Sequence, residues 1–214
     1  MSVLSLENVA YSYRGSKEQV LQKVNSRFEA GKFYAIVGQS GGGKSTLLSL
    51  MAGLDSPNEG QIKFDERDIS LDGYAKHRKK QVCLIFQNYN LIDYLTPLEN
   101  VRLVNKKASA DLLLSLGLNE GQITRNVLQL SGGQQQRVAI ARALAAEAPI
   151  ILADEPTGNL DPKTAADIIA ILREAVDKHG KCVIVVTHSK EVAASADEIW
   201  ELKNHTLHLS NKSR

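Results

Sequence analysis

Residues 32–52 read KFYAIV-GQSGGGKST-LLSLMA, which is an apolar run, a glycine-rich loop and a second apolar run in direct succession. The first run has the length and composition of a buried strand, and the last run has those of a helix. Between them, residues 38–45 fit the pattern G-x-x-x-x-G-K-[ST], which binds phosphate when a strand precedes it and a helix follows it. This strand–loop–helix unit predicts an α/β fold built around a parallel sheet.

The residue types in this loop suit the phosphates of a nucleotide and a divalent cation. Glycines let the backbone approach phosphate oxygens closely, and Lys44 supplies positive charge for the β- and γ-phosphates. Ser45 offers a hydroxyl to Mg²⁺. We therefore expect ATP to be bound by the loop residues Gly38, Gln39, Ser40, Gly41, Gly42, Gly43, Lys44, Ser45 and Thr46.

A second candidate phosphate surface lies far downstream. Ser131 is followed by two glycines and then by a helix-forming run that reaches Ala146. A hydroxyl and free backbone N–H groups at a helix N-terminus form an anion site. Two phosphate surfaces in one chain suggest a nucleotide that is shared between two copies, each supplying half of each site. We therefore predict that the nucleotide is also contacted by Ser131, Gly132, Gly133 and Gln134.

An acidic pair, Asp154 and Glu155, ends the apolar run at residues 150–153. Continuous apolar runs are typical of parallel strands that are buried on both faces. At a strand end beside the phosphate loop, Asp154 would hold Mg²⁺ through water and Glu155 would polarise the attacking water. For such a pair taken alone, a helix cap or a solvated turn is the alternative.

Together these segments resemble the ATP-binding-cassette family. Residues 130–137, LSGGQQQR, are similar to the signature of that family, and residues 156–161, PTGNLD, are similar to the loop that communicates across its dimer. The resemblance runs from about Leu4 to Leu209. It implies a RecA-like P-loop NTPase core, an N-terminal antiparallel β subdomain and an inserted helical subdomain.

The resemblance also gives roles to single residues. His188 resembles the switch histidine that contacts the γ-phosphate, although a histidine after a strand is more often structural. Gln87 stands where an amide reaches Mg²⁺ and the attacking water. Tyr13 would stack on adenine, with Tyr11 in the core, and Asp161 would contact the nucleotide from the cross-dimer loop. The predicted catalytic residues are thus Glu155, His188, Gln87 and Lys44, and the predicted metal ligands are Ser45, Gln87 and Asp154.

We expect a single domain over residues 1–214, with a core of residues 1–87 and 136–214 and a helical subdomain of residues 88–135 inserted at a hinge near Gln87. Strands are predicted at residues 5–9, 26–29, 33–37, 61–64, 82–86, 150–153, 183–186, 198–202 and 206–209. Helices are predicted at residues 44–52, 108–116, 133–147, 162–179 and 190–195.

Composition narrows the function classes further. A formal charge of +2 in 214 residues gives no reason to expect a nucleic-acid partner. The basic run at residues 76–80 is typical of a solvated helix end, with contact to a membrane partner or anionic lipid as the alternative. Cys83 and Cys182 lie in apolar runs, as reduced core thiols of a cytoplasmic protein do. His205 and His208 favour a surface position over a metal site.

Residues 86–92, 95–101 and 153–161 are similar to the ATPases of the lipoprotein-release and macrolide or antimicrobial-peptide export group. That resemblance implies a Mg²⁺-dependent ATPase subunit that closes as a homodimer on ATP and drives an integral-membrane permease encoded separately. Because no run approaches eighteen apolar residues, we expect a cytoplasmic protein held at the inner face of the membrane by that permease. The alternative is a related ATPase module in signalling or cell division that moves no substrate.

Overall fold

The computed structural model describes residues 2–16 and 18–210 of the chain. Its strands are β1 (Ser2–Tyr11), β2 (Leu21–Glu29), β3 (Phe33–Gly38), β4 (Glu59–Phe64), β5 (Arg67–Asp68), β6 (Val82–Ile85), β7 (Ile150–Asp154), β8 (Cys182–Val186), β9 (Glu198–Lys203) and β10 (Thr206–Ser210). Its helices are α1 (Lys44–Met51), α2 (Ile69–Asp72), α3 (Tyr74–Lys80), α4 (Pro97–Arg102), α5 (Ala110–Ser115), α6 (Glu120–Ile123), α7 (Gly132–Ala145), α8 (Pro162–Asp177) and α9 (Lys190–Ala194). No helix in this described part is long and apolar enough to cross a bilayer.

The strands form two sheets. Four antiparallel strands pair in the order β2-β1-β4-β5, and six strands pair in the order β10-β9-β3-β8-β7-β6. In the second sheet, β9, β3, β8, β7 and β6 run parallel, and β10 pairs antiparallel with β9. The predicted parallel α/β core and the predicted N-terminal antiparallel subdomain are therefore both confirmed.

Successive side chains on a strand point to opposite faces, and the parallel sheet uses both faces for cores. Phe33 and Ala35 of β3 join a core with α7 and α8, whereas Tyr34 and Ile36 join a core with α1 and the antiparallel sheet. The short helices α4 to α6 contribute to the first core through residues such as Val101. The sheet is thus covered by α1 and the antiparallel strands on one side and by α7, α8 and the short helices on the other.

Within residues 88–135 the regular elements are helical, namely α4, α5, α6, a 3₁₀ turn at Val127–Gln129 and the start of α7. The predicted end of this helical segment falls inside α7, which continues to Ala145 without interruption. Because α7 packs against both α4 and β6, it belongs physically to the helical segment and to the sheet core at once.

Each predicted strand and helix is present, with ends that move by a few residues. The largest extension is in β1 and β2, where bulges in the pairing interrupt the period-two pattern. The elements that sequence reasoning omitted are short, namely β5, α2, α4 and α6, and the basic run at residues 76–80 completes α3.

Candidate active site

A cavity of about 620 Å³ lies where the carboxyl ends of β3, β7 and β8 meet the start of α1. Open parallel sheets place their ligand sites at this edge. The cavity is lined by Tyr13, Val20, Ser40, Gly41, Gly43, Lys44, Ser45, Thr46, Gln87, Asp154, Glu155, Gly158, Val186 and His188. All the residues predicted to be catalytic or to bind metal are therefore brought together.

Lys44 is the buried cation of the cavity. It opens α1, and its Nζ donates to the carbonyls of Gly38 at 3.0 Å and Gln39 at 2.9 Å. Burial lowers the pKa of Lys44, and the charges of Glu155 and Asp154 act against that shift. The two carbonyl acceptors of Lys44 exchange readily for phosphate oxygens, because a charged acceptor binds a cation more strongly.

Glu155 follows β7 with a positive φ of 45°, and its backbone N–H donates to the Val186 carbonyl at 2.9 Å. Its Oε2 accepts from the Thr187 hydroxyl and the His188 backbone N–H, both at 3.2 Å. Its buried Oε1 has no hydrogen-bond partner within residues 2–16 and 18–210. The carboxylate is thus anchored through Oε2, and Oε1 keeps its capacity to accept a proton.

The His188 ring stands between the cation and this carboxylate. Its Nε2 lies 3.1 Å from Lys44 Nζ and 3.5 Å from Glu155 Oε1. The three groups therefore form one contiguous polar cluster at the cavity wall.

The candidate metal donors are a hydroxyl, an amide and a carboxylate, on Ser45, Gln87 and Asp154. The described residues include no cluster of three or more His, Cys, Asp or Glu side chains that could hold a metal by themselves. Mg²⁺ is commonly held by one or two protein oxygens together with waters and substrate phosphates. This sparse oxygen set therefore fits Mg²⁺.

The two tyrosines near the N-terminus separate by burial. Tyr11 is 6% exposed and donates to Asp55, and this hydrogen bond, with burial, raises the pKa of Tyr11 to about 12. Tyr13 is 52% exposed, lines the cavity and has its hydroxyl 2.7 Å from Thr46 Oγ1. The Tyr13 ring is thus available for a ligand, and the Tyr11 ring is part of the core.

Several loop residues lie behind the cavity wall. An added Cβ at Gly38 would lie 2.5 Å from the Leu202 carbonyl oxygen, so this glycine lets β3 approach β9. Gln39 and Gly42 line a neighbouring cavity of about 330 Å³ with residues of the β9–β10 turn. In this turn His205 Nδ1 is 3.3 Å from the Val20 carbonyl oxygen, and on β10 the His208 ring contacts the Thr206 hydroxyl.

The second predicted phosphate surface does not line the cavity of its own chain. Ser131 caps α7 by accepting from the Gln134 N–H at 3.4 Å, and the Ser131 N–H donates to Gln134 Oε1 at 3.0 Å. Gly132 and Gly133 are tightly packed, since an added Cβ would lie 2.7 Å from Tyr89 Oη and 2.7 Å from Thr164 Cγ2 respectively.

Asp161 also lies outside the cavity lining, as the cap of α8. It accepts from the Thr164 N–H at 3.0 Å, and hydrogen bonds from the Thr164 side chain and backbone lower the pKa of Asp161. Cys83 and Cys182 are buried free thiols, and burial raises the pKa of Cys83 to about 12.

Sequence reasoning missed two lining residues that shape the cavity. An added Cβ at Gly43 would lie 2.9 Å from Val20 Cγ1, so Val20 seats the phosphate loop. Gly158 approaches the Gln87 amide and Glu155. Gly158 belongs to the segment PTGNLD, which could have pointed to it, whereas Val20 belongs to no motif.

Comparison with known proteins gives concordant results. The model of the family described as ABC transporter matches residues 21–158. The uncharacterized ABC transporter ATP-binding protein YclH of Bacillus subtilis is 44% identical over 207 residues, which cover 92% of each chain. The macrolide export ATP-binding/permease protein MacB of Salmonella typhimurium is 43% identical over 216 residues, which cover 94% of this chain and 33% of MacB.

Solved structures agree with this result. The dimeric structure of the ABC transporter cassette MJ0796 superposes with a TM-score of 0.87 at 39% identity, over 96% of both chains. That protein comes from Methanocaldococcus jannaschii. A second structure of MJ0796, a dimeric post-hydrolysis state bound to ADP and Pi, has a TM-score of 0.86 at 38% identity over 97% of both chains.

Proposed function

The chain belongs to the ABC transporter family, and we propose that it hydrolyses Mg-ATP as a homodimer and drives a separate membrane permease. The observation that carries this proposal is the cluster of Lys44, His188 and Glu155 at the cavity wall, in which a buried carboxylate oxygen of Glu155 has no hydrogen-bond partner among the described residues. A binding module without hydrolysis needs the cation but has no use for that carboxylate.

In this proposal ATP occupies the 620 Å³ cavity. The adenine ring stacks on Tyr13, and the triphosphate follows the glycine-rich loop to the N-terminus of α1, where backbone N–H groups and the helix dipole favour anions. Lys44 Nζ leaves its carbonyl acceptors for the β- and γ-phosphate oxygens. Most contacts to ATP are therefore provided by residues that precede α2 in the chain.

Hydrolysis is an in-line attack of water on the γ-phosphorus. Glu155 Oε1 accepts the proton of the attacking water while the bond from the γ-phosphorus to the bridging oxygen breaks and ADP leaves. His188 and Lys44 stabilise the charge on the γ-phosphoryl oxygens. Ser45, Gln87 and Asp154 would hold Mg²⁺, which neutralises charge on the β- and γ-phosphates when bound.

The residues Ser131, Gly132, Gly133, Gln134 and Asp161 serve the site of the second copy. In one chain they cap or pack their own helices and do not line the cavity. The dimeric structures of MJ0796 support an arrangement in which each copy completes the site of the other. Of these residues, Ser131 to Gln134 lie in the helical subdomain of residues 88–135, and Asp161 lies in the core.

A cleft beside the helical subdomain suits the permease. A cavity of about 310 Å³ is lined by apolar side chains, which include Leu103 and Val104, and by the basic side chains of Arg78, Lys79 and Arg142. Its occupant in this proposal is a cytoplasmic segment of the permease that presents apolar and acidic side chains. The similarity to MacB, a macrolide export ATP-binding/permease protein, supports an export role and attachment to the inner face of the membrane.

The direct test is ATP turnover by the purified chain with and without Mg²⁺. We expect phosphate release that requires Mg²⁺ and falls about 100-fold or more in Lys44→Ala, the scale of one lost charge-stabilising group. Lys32→Ala is the matched control, because Lys32 bonds to Glu29 and Glu198 away from the cavity. Turnover that survives in Lys44→Ala, or that EDTA leaves unchanged, contradicts the proposal.

A further inference from the structure

The Arg142 side chain binds backbone carbonyl groups of the loop that follows Gln87. From α7 its Nη1 donates to the Asn90 carbonyl at 2.7 Å and its Nη2 donates to the Tyr89 carbonyl at 3.1 Å. In the described ranges, 2–16 and 18–210, the structure contains no salt bridge from Arg142 to a carboxylate. Burial lowers the pKa of this guanidinium. Arg142 therefore gives up part of its hydration to bind two neutral carbonyl groups. That cost indicates that the position of these carbonyl groups is important.

The gripped residues are strained. Tyr89 has φ of 58° and Asn90 has φ of 50°, so two consecutive non-glycine residues occupy the left-handed region. Each such residue persists only where its surroundings fix it. They begin two residues after Gln87, whose amide lines the cavity. The strained pair thus lies close in the chain to a residue of the proposed ATP site.

Tyr89 also fixes the loop to the other end of α7. An added Cβ at Gly132 would lie 2.7 Å from Tyr89 Oη, so the phenol ring rests on the first turn of the helix. Arg142 lies ten residues later, about 15 Å along the axis. The loop is thus attached to α7 at both ends, through a side chain of the loop and through a side chain of the helix.

We propose that Arg142 and Tyr89 are positioning residues that fasten the Gln87 loop to α7, so that Gln87 and the Ser131 end of the helix move as one body. This inference rests on the proposed role of Gln87 in the ATP site. Neither residue touches the nucleotide in this scheme. Each acts by fixing where the Gln87 amide stands relative to Ser131.

The test is a double-mutant cycle on steady-state turnover. Arg142→Met should lower kcat about tenfold, the scale of one net pair of buried hydrogen bonds, while KM for ATP stays within about twofold. If Arg142 acts through Gln87, then Arg142→Met in a Gln87→Ala background should cost little more than the slower single variant. Arg142→Lys, which keeps the charge and reaches one carbonyl, should recover part of kcat, and it replaces Arg142→Met in the cycle if that variant does not fold.

Arg137→Met is the matched control on the same helix. Arg137 also donates to a backbone carbonyl, that of Leu116, but its second partner is Asp167 rather than the Gln87 loop. In the double variant of Arg137→Met and Gln87→Ala, the loss in kcat should equal the product of the losses in the two single variants. The fastening role is overturned if the losses from Arg142→Met and Gln87→Ala also multiply, or if Arg142→Met has a normal kcat. Normal turnover in Gln87→Ala instead overturns the proposed role of Gln87 itself.

The Tyr89 contact has a separate readout in thermal unfolding. Gly132→Ala should lower Tm by about 2–4 °C, because the new methyl group meets the phenol oxygen. Tyr89→Phe in that background removes the oxygen and should restore at least half of the loss. No restoration means that Tyr89 does not rest on α7 in solution, and the attachment at that end is then wrong.

Discussion

Glu155 joins backbone strain, burial and chemistry in one residue. Its φ of 45° costs about 1–2 kcal/mol for a residue with a side chain. The bonds from Thr187, from the His188 backbone and to the Val186 carbonyl hold it in that state. Glu155 lines the cavity, and its Oε1, which makes no hydrogen bond within the described residues, is the acceptor that the proposed reaction requires.

Glu155→Gln should depress turnover by at least about 100-fold and leave ATP affinity nearly unchanged, because the amide cannot accept the proton but fills the same space. The measurement is single-turnover hydrolysis beside equilibrium binding of ATP. Asp154→Asn is the comparison, since it should instead weaken Mg²⁺ binding and raise the Mg²⁺ concentration that turnover requires. Wild-type turnover in Glu155→Gln would show that another group accepts the proton.

Tyr13→Ala should weaken ATP binding by about 1–3 kcal/mol, the scale of base–aromatic stacking, with little change in turnover at saturating ATP. Tyr13→Phe keeps the ring and removes only the hydroxyl near Thr46, so it should bind nearly as tightly as the wild type. Calorimetry on both variants measures this. An affinity loss in Tyr13→Phe as large as in Tyr13→Ala assigns the effect to the hydroxyl and contradicts stacking.

At the residue scale the sequence predicts which groups gather, and it does so through motifs. Lys44, Asp154 and Glu155 each follow an apolar strand, and strand ends of a parallel sheet share one edge. The positive φ of Glu155 and the role of Arg142 carry no such signal. Both depend on contacts between segments that are far apart in the chain, which local patterns do not encode.

At the scale of elements, α4 has a clear start signal in the sequence, although its helix was not predicted. Thr96 caps α4 by accepting from the Glu99 N–H, and Glu99 accepts from the Thr96 N–H and hydroxyl. This capping box, followed by Pro97 at the first helical position, is a recognisable start signal. The apolar pattern did not predict α4, because Leu98 and Val101 are its only large apolar side chains, whereas α5, equally short, has three consecutive leucines.

Thr96→Ala should destabilise the protein by about 1 kcal/mol through the lost cap. Hydrogen bonds from Thr96 lower the pKa of Glu99, so the stability that they contribute is present above the unfolded pKa of glutamate, about 4.3, and is lost as pH falls. The deficit of Thr96→Ala, measured by urea unfolding, should therefore shrink at acidic pH. Ser70→Ala, an exposed serine of α2, is the control. A deficit that does not change with pH contradicts the capping box.

At the scale of the whole molecule, helix α7 connects what the chain otherwise keeps apart. It packs against α4 of the helical segment and against β6 beside the active site, it begins at the Ser131 surface, and it carries Arg142. The strand order β10-β9-β3-β8-β7-β6 could not be read from the sequence, because the pattern of each strand does not specify its neighbours. The two-faced core of the parallel sheet was legible in its continuous apolar strands.

The central claim is that one copy completes the site of another, and the ATP-dependent mass of two variants tests it most directly. With ATP and Mg²⁺, Glu155→Gln should run as a dimer in gel filtration with light scattering, because ATP stays bound and unhydrolysed. Ser131→Arg combined with Glu155→Gln should still bind ATP through Lys44 yet remain a monomer, since a bulky cation replaces the hydroxyl at the interface. If the double variant dimerises on ATP as readily as Glu155→Gln, Ser131 does not act across an interface and the account is contradicted.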